Sequence, residues 1–191
     1  QAVESGAVAA VFPELGLTGY SNDDLFHQSA LLDAARDGLK ILLEESKNFP
    51  LLMLVGMPLK HEDQLFNVGV AILQGKILGV VPKTYLPNYR EFYEKRQFAS
   101  AADALSDEID LLGQRVPFGR QLIFAEDNFS GFKLAMEICE DLWSPLPPST
   151  LASLAGATVI ANLSASNATI GKADYRREIC AAQSGKCVAA Y

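Results

Sequence analysis

Histidine is nearly missing from this chain: His27 and His61 are the only two among 191 residues, and neither stands in a motif. A nucleophilic cysteine here must find its base among other side chains. Cysteine is scarce as well. Cys139, Cys180 and Cys187 make an odd number, with no C-x-x-C pair and no histidine spaced for zinc, so neither a disulfide framework nor a metal site is indicated. That usage fits a reducing compartment, and a cytoplasmic location is the expectation. Basic charge is also short, with 16 Lys and Arg against 23 Asp and Glu for a net charge of -7. Nucleic acid and acidic membrane surfaces require clustered cations and are not expected partners. No apolar run reaches the roughly 18 residues of a membrane span, and the start lacks the basic and hydrophobic regions of a signal peptide.

What is present suits one domain with a sizeable core: 49% of residues are hydrophobic and 20% charged. The chain opens on Gln1 rather than Met and stops on Val188-Ala189-Ala190-Tyr191, which reads as an unfinished strand, so a fragment is expected. Short runs rich in Val, Ile and Leu predict strands at 7–12, 51–56, 67–73, 76–81, 121–124, 132–138, 158–163 and 186–190. Gln74-Gly75-Lys76 and the segment 127–131 carry hairpin signals, so part of the sheet is antiparallel. Helical patterning covers 24–47, 149–155 and 174–184. Hairpins mixed with helix-strand alternation predict α/β layers.

Three strand ends carry chemistry. Glu137-Ile138-Cys139-Glu140-Asp141 sets a thiol where an apolar strand turns polar, between carboxylates. Thiols attack as thiolates, so Cys139 needs a base or a cation. Glu14 follows an apolar strand and Pro13, where the active sites of α/β proteins gather, and Lys83 closes another strand before the aromatic, charged loop 85–96. Each has a plain structural reading: a solvated strand-end charge for Glu14 and Lys83, a small buried hydrophobe for Cys139. Cys180 and Cys187 read as packing residues. The loop 85–96 suggests a lid over a small polar substrate, and Asn162-Leu163-Ser164-Ala165-Ser166-Asn167 suggests a loop facing a ligand. Together Glu14, Lys83 and Cys139 suit amide hydrolysis, with base, oxyanion stabiliser and nucleophile in that order.

Pro13-Glu14-Leu15, Pro82-Lys83 and Glu137 to Trp143 resemble, in order, the three signature segments of the nitrilase (carbon-nitrogen hydrolase) superfamily. More narrowly, the segments 13–25, 85–98 and 162–172 are similar to the glutaminase domains of glutamine-dependent NAD synthetases. The resemblance implies a nitrilase-like four-layer α-β-β-α sandwich with mixed sheets. It also implies Cys139 as nucleophile, Glu14 as general base, Lys83 as oxyanion stabiliser and Glu94 as a second glutamate that orients Lys83. It places the polar end of L-glutamine at Tyr89, Ser166 and Lys172, with Tyr20 and Glu140 beside it. Lys172 offers only a point charge where an arginine would grip a carboxylate with two parallel bonds.

Such domains supply ammonia for the amidation of deamido-NAD to NAD by a C-terminal synthetase domain that uses ATP and Mg, and a homo-oligomer is expected on the same ground. The domain itself needs no cofactor. The Ser-Gly-Gly-type pyrophosphate loop of that synthetase is not in residues 1–191, and neither is the family's usual opening strand. A free-standing amidase of the superfamily and a catalytically inactive interaction domain stand as alternatives.

Overall fold

The computed structural model describes residues 1–191, apart from the side chain at position 130. Its first sheet orders β1 (Ala9–Val11), β2 (Leu52–His61), β3 (Gln64–Leu73) and β4 (Lys76–Pro82) side by side. β1 runs parallel to β2, and the other neighbours are antiparallel. After β4 come β5 (Glu108–Leu111) and β6 (Gln114–Pro117), a hairpin tied to β4 by a bridge between Val80 and Phe118. β7 (Phe124–Glu126), β8 (Phe129–Ile138) and β9 (Val159–Leu163) form a second sheet, antiparallel then parallel. The helices are α1 (Ser29–Ser46), α2 (Pro148–Leu154) and α3 (Lys172–Cys187).

Alternation along the strands sorts the core into layers. In β2, Met53, Val55 and Met57 face α1, whose Ala35, Leu39 and Leu43 recur at helical spacing and are buried against them. The intervening Leu52 and Leu54 meet Leu134, Met136, Ala161 and Leu163 of the second sheet. α2 and α3 close the far side, where Ala152 and Cys187 pack against Ala135 and Ile160. The order helix, sheet, sheet, helix is the expected α-β-β-α sandwich. Each fully buried Leu or Val contributes about 1.5–3 kcal/mol, so the two-sheet interface is a large share of the stability.

β2 and β3 are covered on both faces, which is why they read as unbroken apolar runs rather than alternating ones. The hairpin between β3 and β4 turns on Gln74 and Gly75, both at positive φ (47° and 78°), as the right-handed strand twist favours.

The structure departs from the sequence reading in several places. Residues 186–190 are not a strand: Lys186 and Cys187 finish α3, and only Ala190 pairs with Val159. The buried Gln183 amide donates to Ser149 Oγ and Thr150 Oγ1, which ties the end of α3 to α2. The predicted helix 24–47 is a short 3-10 turn, Asp23–His27, then α1, with Gln28 extended between them. That break lets Phe26 turn in against Leu15 and Phe98. The hairpin of β5 and β6 was not foreseen, although Ile109 and Leu111 are buried between the exposed acids Glu108 and Asp110.

Candidate active site

Glu14 follows β1, Lys83 follows β4 and Cys139 follows β8, so three strand ends from two sheets meet. Gly56 makes the first of these placements possible. A Cβ there would lie 2.5 Å from Leu15 N and Pro13 O, so only glycine lets the backbone around Glu14 cross β2. Leu15 and Cys139 both hold positive φ (51° and 45°), a conformation that costs side-chain-bearing residues about 1–3 kcal/mol and clusters at functional sites.

Lys83 is buried together with Glu14 and Glu94, its Nζ 2.6 Å from Glu14 Oε1 and 2.7 Å from Glu94 Oε1. Asn67 Nδ2 donates to Glu14 Oε1 at 2.8 Å, and the Ala165 amide donates to Oε2 at 3.1 Å. Tyr20 donates its hydroxyl to Glu94 Oε1 at 2.6 Å. Burial works against the Lys83 charge, but Glu14 and Glu94 outweigh it and hold the ammonium well above the ordinary lysine value. Burial raises the Glu94 carboxyl despite the pull of Lys83. Beside this cluster, the Cys139 thiol accepts a bond from Ser164 Oγ at 3.4 Å. Burial and then the Glu14 charge push that thiol up to about 12, against the opposing pull of Lys83 and Ser164. Cys139 therefore rests protonated at neutral pH.

Above the thiol opens a cavity of about 490 Å³, and Tyr20, Tyr89, Glu140, Ser166 and Lys172 all line it with Cys139. The five residues expected at the substrate thus share one cavity with the thiol. Their partners refine the expectation. The Tyr20 hydroxyl is committed to Glu94, and its phenol is raised by burial and then by the Glu94 charge. Tyr89 OH lies 3.0 Å from both oxygens of Glu140, and burial, then that bond, push it up to about 12. Lys172 Nζ donates to Asn167 Oδ1 and sits 5.2 Å from the centre of the Trp143 ring, while Asn167 donates to Glu91.

Sequence reasoning missed Asn67 and Trp143, and took Asn162 and Asn167 only as part of a loop facing a ligand. Asn67 had a usable signal, since a lone amide in an apolar strand must be hydrogen-bonded or functional.

Asp141 is a buried staple between two of the strand ends. Its Oδ1 accepts from Thr84 N (3.1 Å) and Tyr85 N (2.8 Å), and its Oδ2 accepts from Ile138 N at 2.9 Å. Burial raises the carboxyl to about 7, although the amides of Ile138 and Tyr85 pull it back. An asparagine would turn an NH2 group toward one of these N–H donors. Asp141→Asn should therefore cost about 2 kcal/mol or more, read as a lower midpoint in chemical denaturation. An unchanged midpoint would remove Asp141 as the link between Lys83 and Cys139.

Among the described residues no three His, Cys, Asp or Glu side chains are placed together to hold a metal ion. Among the described residues no helix is long and apolar enough to cross a membrane.

The arrangement can remove a thiol proton, hold an oxyanion at a buried ammonium and enclose a small polar substrate. Several known proteins resemble the chain in sequence or fold. The glutamine-dependent NAD(+) synthetase of Mycobacterium tuberculosis is 50% identical over 188 residues, which cover 98% of this chain and 28% of that protein. The Mycobacterium leprae relative of the same name is 45% identical over 191 residues, again 28% of its length. The chain thus spans little more than a quarter of these relatives. Among solved structures, a glutamine-dependent NAD(+) synthetase from Cytophaga hutchinsonii superposes with a TM-score of 0.82 at 23% identity, over 96% of this chain and 29% of that one. The amidase from Nesterenkonia sp. AN1 superposes at 0.73 with 17% identity, over 98% of this chain and 63% of that one. Both likenesses concern the fold. The family model for carbon-nitrogen hydrolases matches residues 1–185, and with the sandwich and its converging strand ends, this chain belongs to the carbon-nitrogen hydrolase family.

Proposed function

We propose that this chain is the glutaminase part of a glutamine-dependent NAD synthetase, releasing ammonia from L-glutamine for the amidation of deamido-NAD elsewhere in the parent protein. The observation that carries the reading is the buried Glu14–Lys83–Glu94 cluster beside the Cys139 thiol, which itself lines a cavity shared with Tyr89, Glu140, Ser166 and Lys172. Because the thiol rests protonated, proton removal accompanies attack. Glu14 takes the proton as sulfur bonds to the amide carbon, and the carbonyl oxygen becomes an oxyanion. Lys83 Nζ faces that charge. The Cys139 N–H is already given to Asn162 Oδ1 at 3.0 Å, so the backbone donor left is Glu140 N–H, in the first turn of the 3-10 helix Cys139–Trp143. Glu14 returns its proton to the amide nitrogen, ammonia leaves, and a thioester remains. Water, deprotonated by Glu14, then frees glutamate and the thiol.

Glu94 stays on Lys83 and keeps it charged. Glu140 and Tyr89 suit the substrate ammonium, and Ser166 and Lys172 suit its carboxylate. In this reading ATP and Mg belong to the synthetase segment of the parent chain, a cytoplasmic homo-oligomer.

The test is ammonia release by the intact parent protein from L-glutamine, asparagine and simple amides, with and without ATP and deamido-NAD. Glutamine turnover that rises with the synthetase substrates is expected. Turnover of other amides, indifferent to ATP, would make the protein a free-standing amidase.

A further inference from the structure

Behind the nucleophile, the bond from Cys139 N–H to Asn162 continues into a buried hydrogen-bonded chain. Asn162 Oδ1 accepts from Cys139 N at 3.0 Å, the amide of the strained residue. The other end of the same side chain, Nδ2, donates to Tyr191 OH at 3.0 Å and lies 3.5 Å from Glu137 Oε1 and from Cys139 O. Tyr191 OH donates to Glu137 Oε1 at 2.6 Å, and Glu137 Oε2 accepts from Ser149 N at 2.9 Å. Glu137 is 1% exposed, and among the described residues no cation pairs with it. A buried carboxylate held only by neutral donors is expensive and calls for a role.

Direction is that role. Both Glu137 oxygens accept in this arrangement, so Tyr191 donates to one of them and accepts in turn only from the NH2 of Asn162. This fixes the amide flip, and Oδ1 is the atom left to face Cys139 N–H. We infer that Asn162 is a positioning residue that clamps the nucleophile's backbone, and that Glu137, through Tyr191, sets the polarity of the clamp. The clamp holds Cys139 at its positive φ and, by occupying its N–H, leaves the oxyanion to Lys83 and Glu140 N–H. The proposal rests on Cys139 being the nucleophile, and one of its tests does not depend on the substrate.

Glu137→Gln keeps shape and size but breaks the polarity. Its NH2 meets either the Ser149 N–H or the Tyr191 hydroxyl; in the second case the hydroxyl proton turns to Asn162, whose amide flips and sets NH2 against Cys139 N–H. Tyr191→Phe removes the relay oxygen with less disturbance and serves if the first variant fails to fold. In the intact parent protein, kcat for glutamine should fall about 100-fold in Glu137→Gln with KM within about threefold, the loss typical of a misplaced reacting group. Tyr191→Phe should fall in the same direction by about tenfold.

The independent readout is alkylation of Cys139 by iodoacetamide, followed on its own peptide by mass spectrometry across pH. The thiol faces Glu14 and Lys83, so a shifted backbone changes its distance to both charges, and the alkylation midpoint should move by about one pH unit or more. Wild-type kcat and an unmoved alkylation profile in a folded variant would overturn the clamp, as would a lower melting temperature alone. A moved profile in a parent protein that does not hydrolyse glutamine would uphold the clamp and reject the proposed substrate.

Discussion

In Cys139→Ser, ammonia release from glutamine by the intact parent protein is expected to fall by at least about 10,000-fold, the scale seen when a covalent nucleophile is removed. The reason lies in acidity. Burial and the Glu14 charge already push the thiol up to about 12, and an alcohol in the same place is a far weaker acid that a carboxylate cannot deprotonate to a useful extent. Serine differs from cysteine by one atom, and the backbone bond from Cys139 N to Asn162 is unaffected by the exchange, so the fold should persist. Synthesis of NAD from free ammonia by the parent protein should survive. Equal loss of both activities would refute the division between a glutaminase and a synthetase segment.

The second large effect is expected at Lys83→Met, where both rate and stability should fall. The ammonium is buried between two carboxylates, 2.6 and 2.7 Å away, and methionine fills its volume without its charge. Oxyanion stabilisation is lost, worth about 100-fold to 1,000-fold in kcat. Glu14 and Glu94 are left buried without their cation, and breaking such an arrangement costs about 3–5 kcal/mol.

The pH dependence separates the two proteins. In the parent, Lys83 binds its proton more tightly folded than unfolded, so its contribution is complete below about 10.5 and is lost as pH rises through that value toward the higher folded one. In Lys83→Met the two carboxylates repel, a proton on either relieves the repulsion, and the variant should regain stability as pH falls below neutral. Urea denaturation at pH 5 and pH 8 reads this directly. Equal losses at both pH values would show that the carboxylates do not depend on Lys83.

The candidate site was legible where chemistry stands at a strand end. Glu14, Lys83 and Cys139 each follow an apolar run in the sequence, and the structure sets them together. Their supports were not legible. Asn67 lies between Phe66 and Val68 in a strand covered on both faces, and only its position on the inter-sheet side brings its amide to Glu14. Asn162 could be read as a loop-facing polar residue, but its bond to the Cys139 backbone spans 23 residues of sequence and depends on the parallel pairing of β8 with β9. The end of α3 was misread because Val188-Ala189-Ala190 is apolar and short, while the bonds that Gln183 donates from α3 to α2 depend on tertiary packing.

What the sequence determined by itself is the set of local preferences: apolar strands of the right length, turns with residues tolerant of positive φ, and reactive groups at strand ends. Those follow from period, propensity and covalent chemistry, which act over a few residues. Only the tertiary structure decided which groups share a charge, which donor is spent and which remains free. Burial and proximity across two sheets raise the Cys139 thiol and hold Lys83 charged, and both depend on distances between residues tens of positions apart.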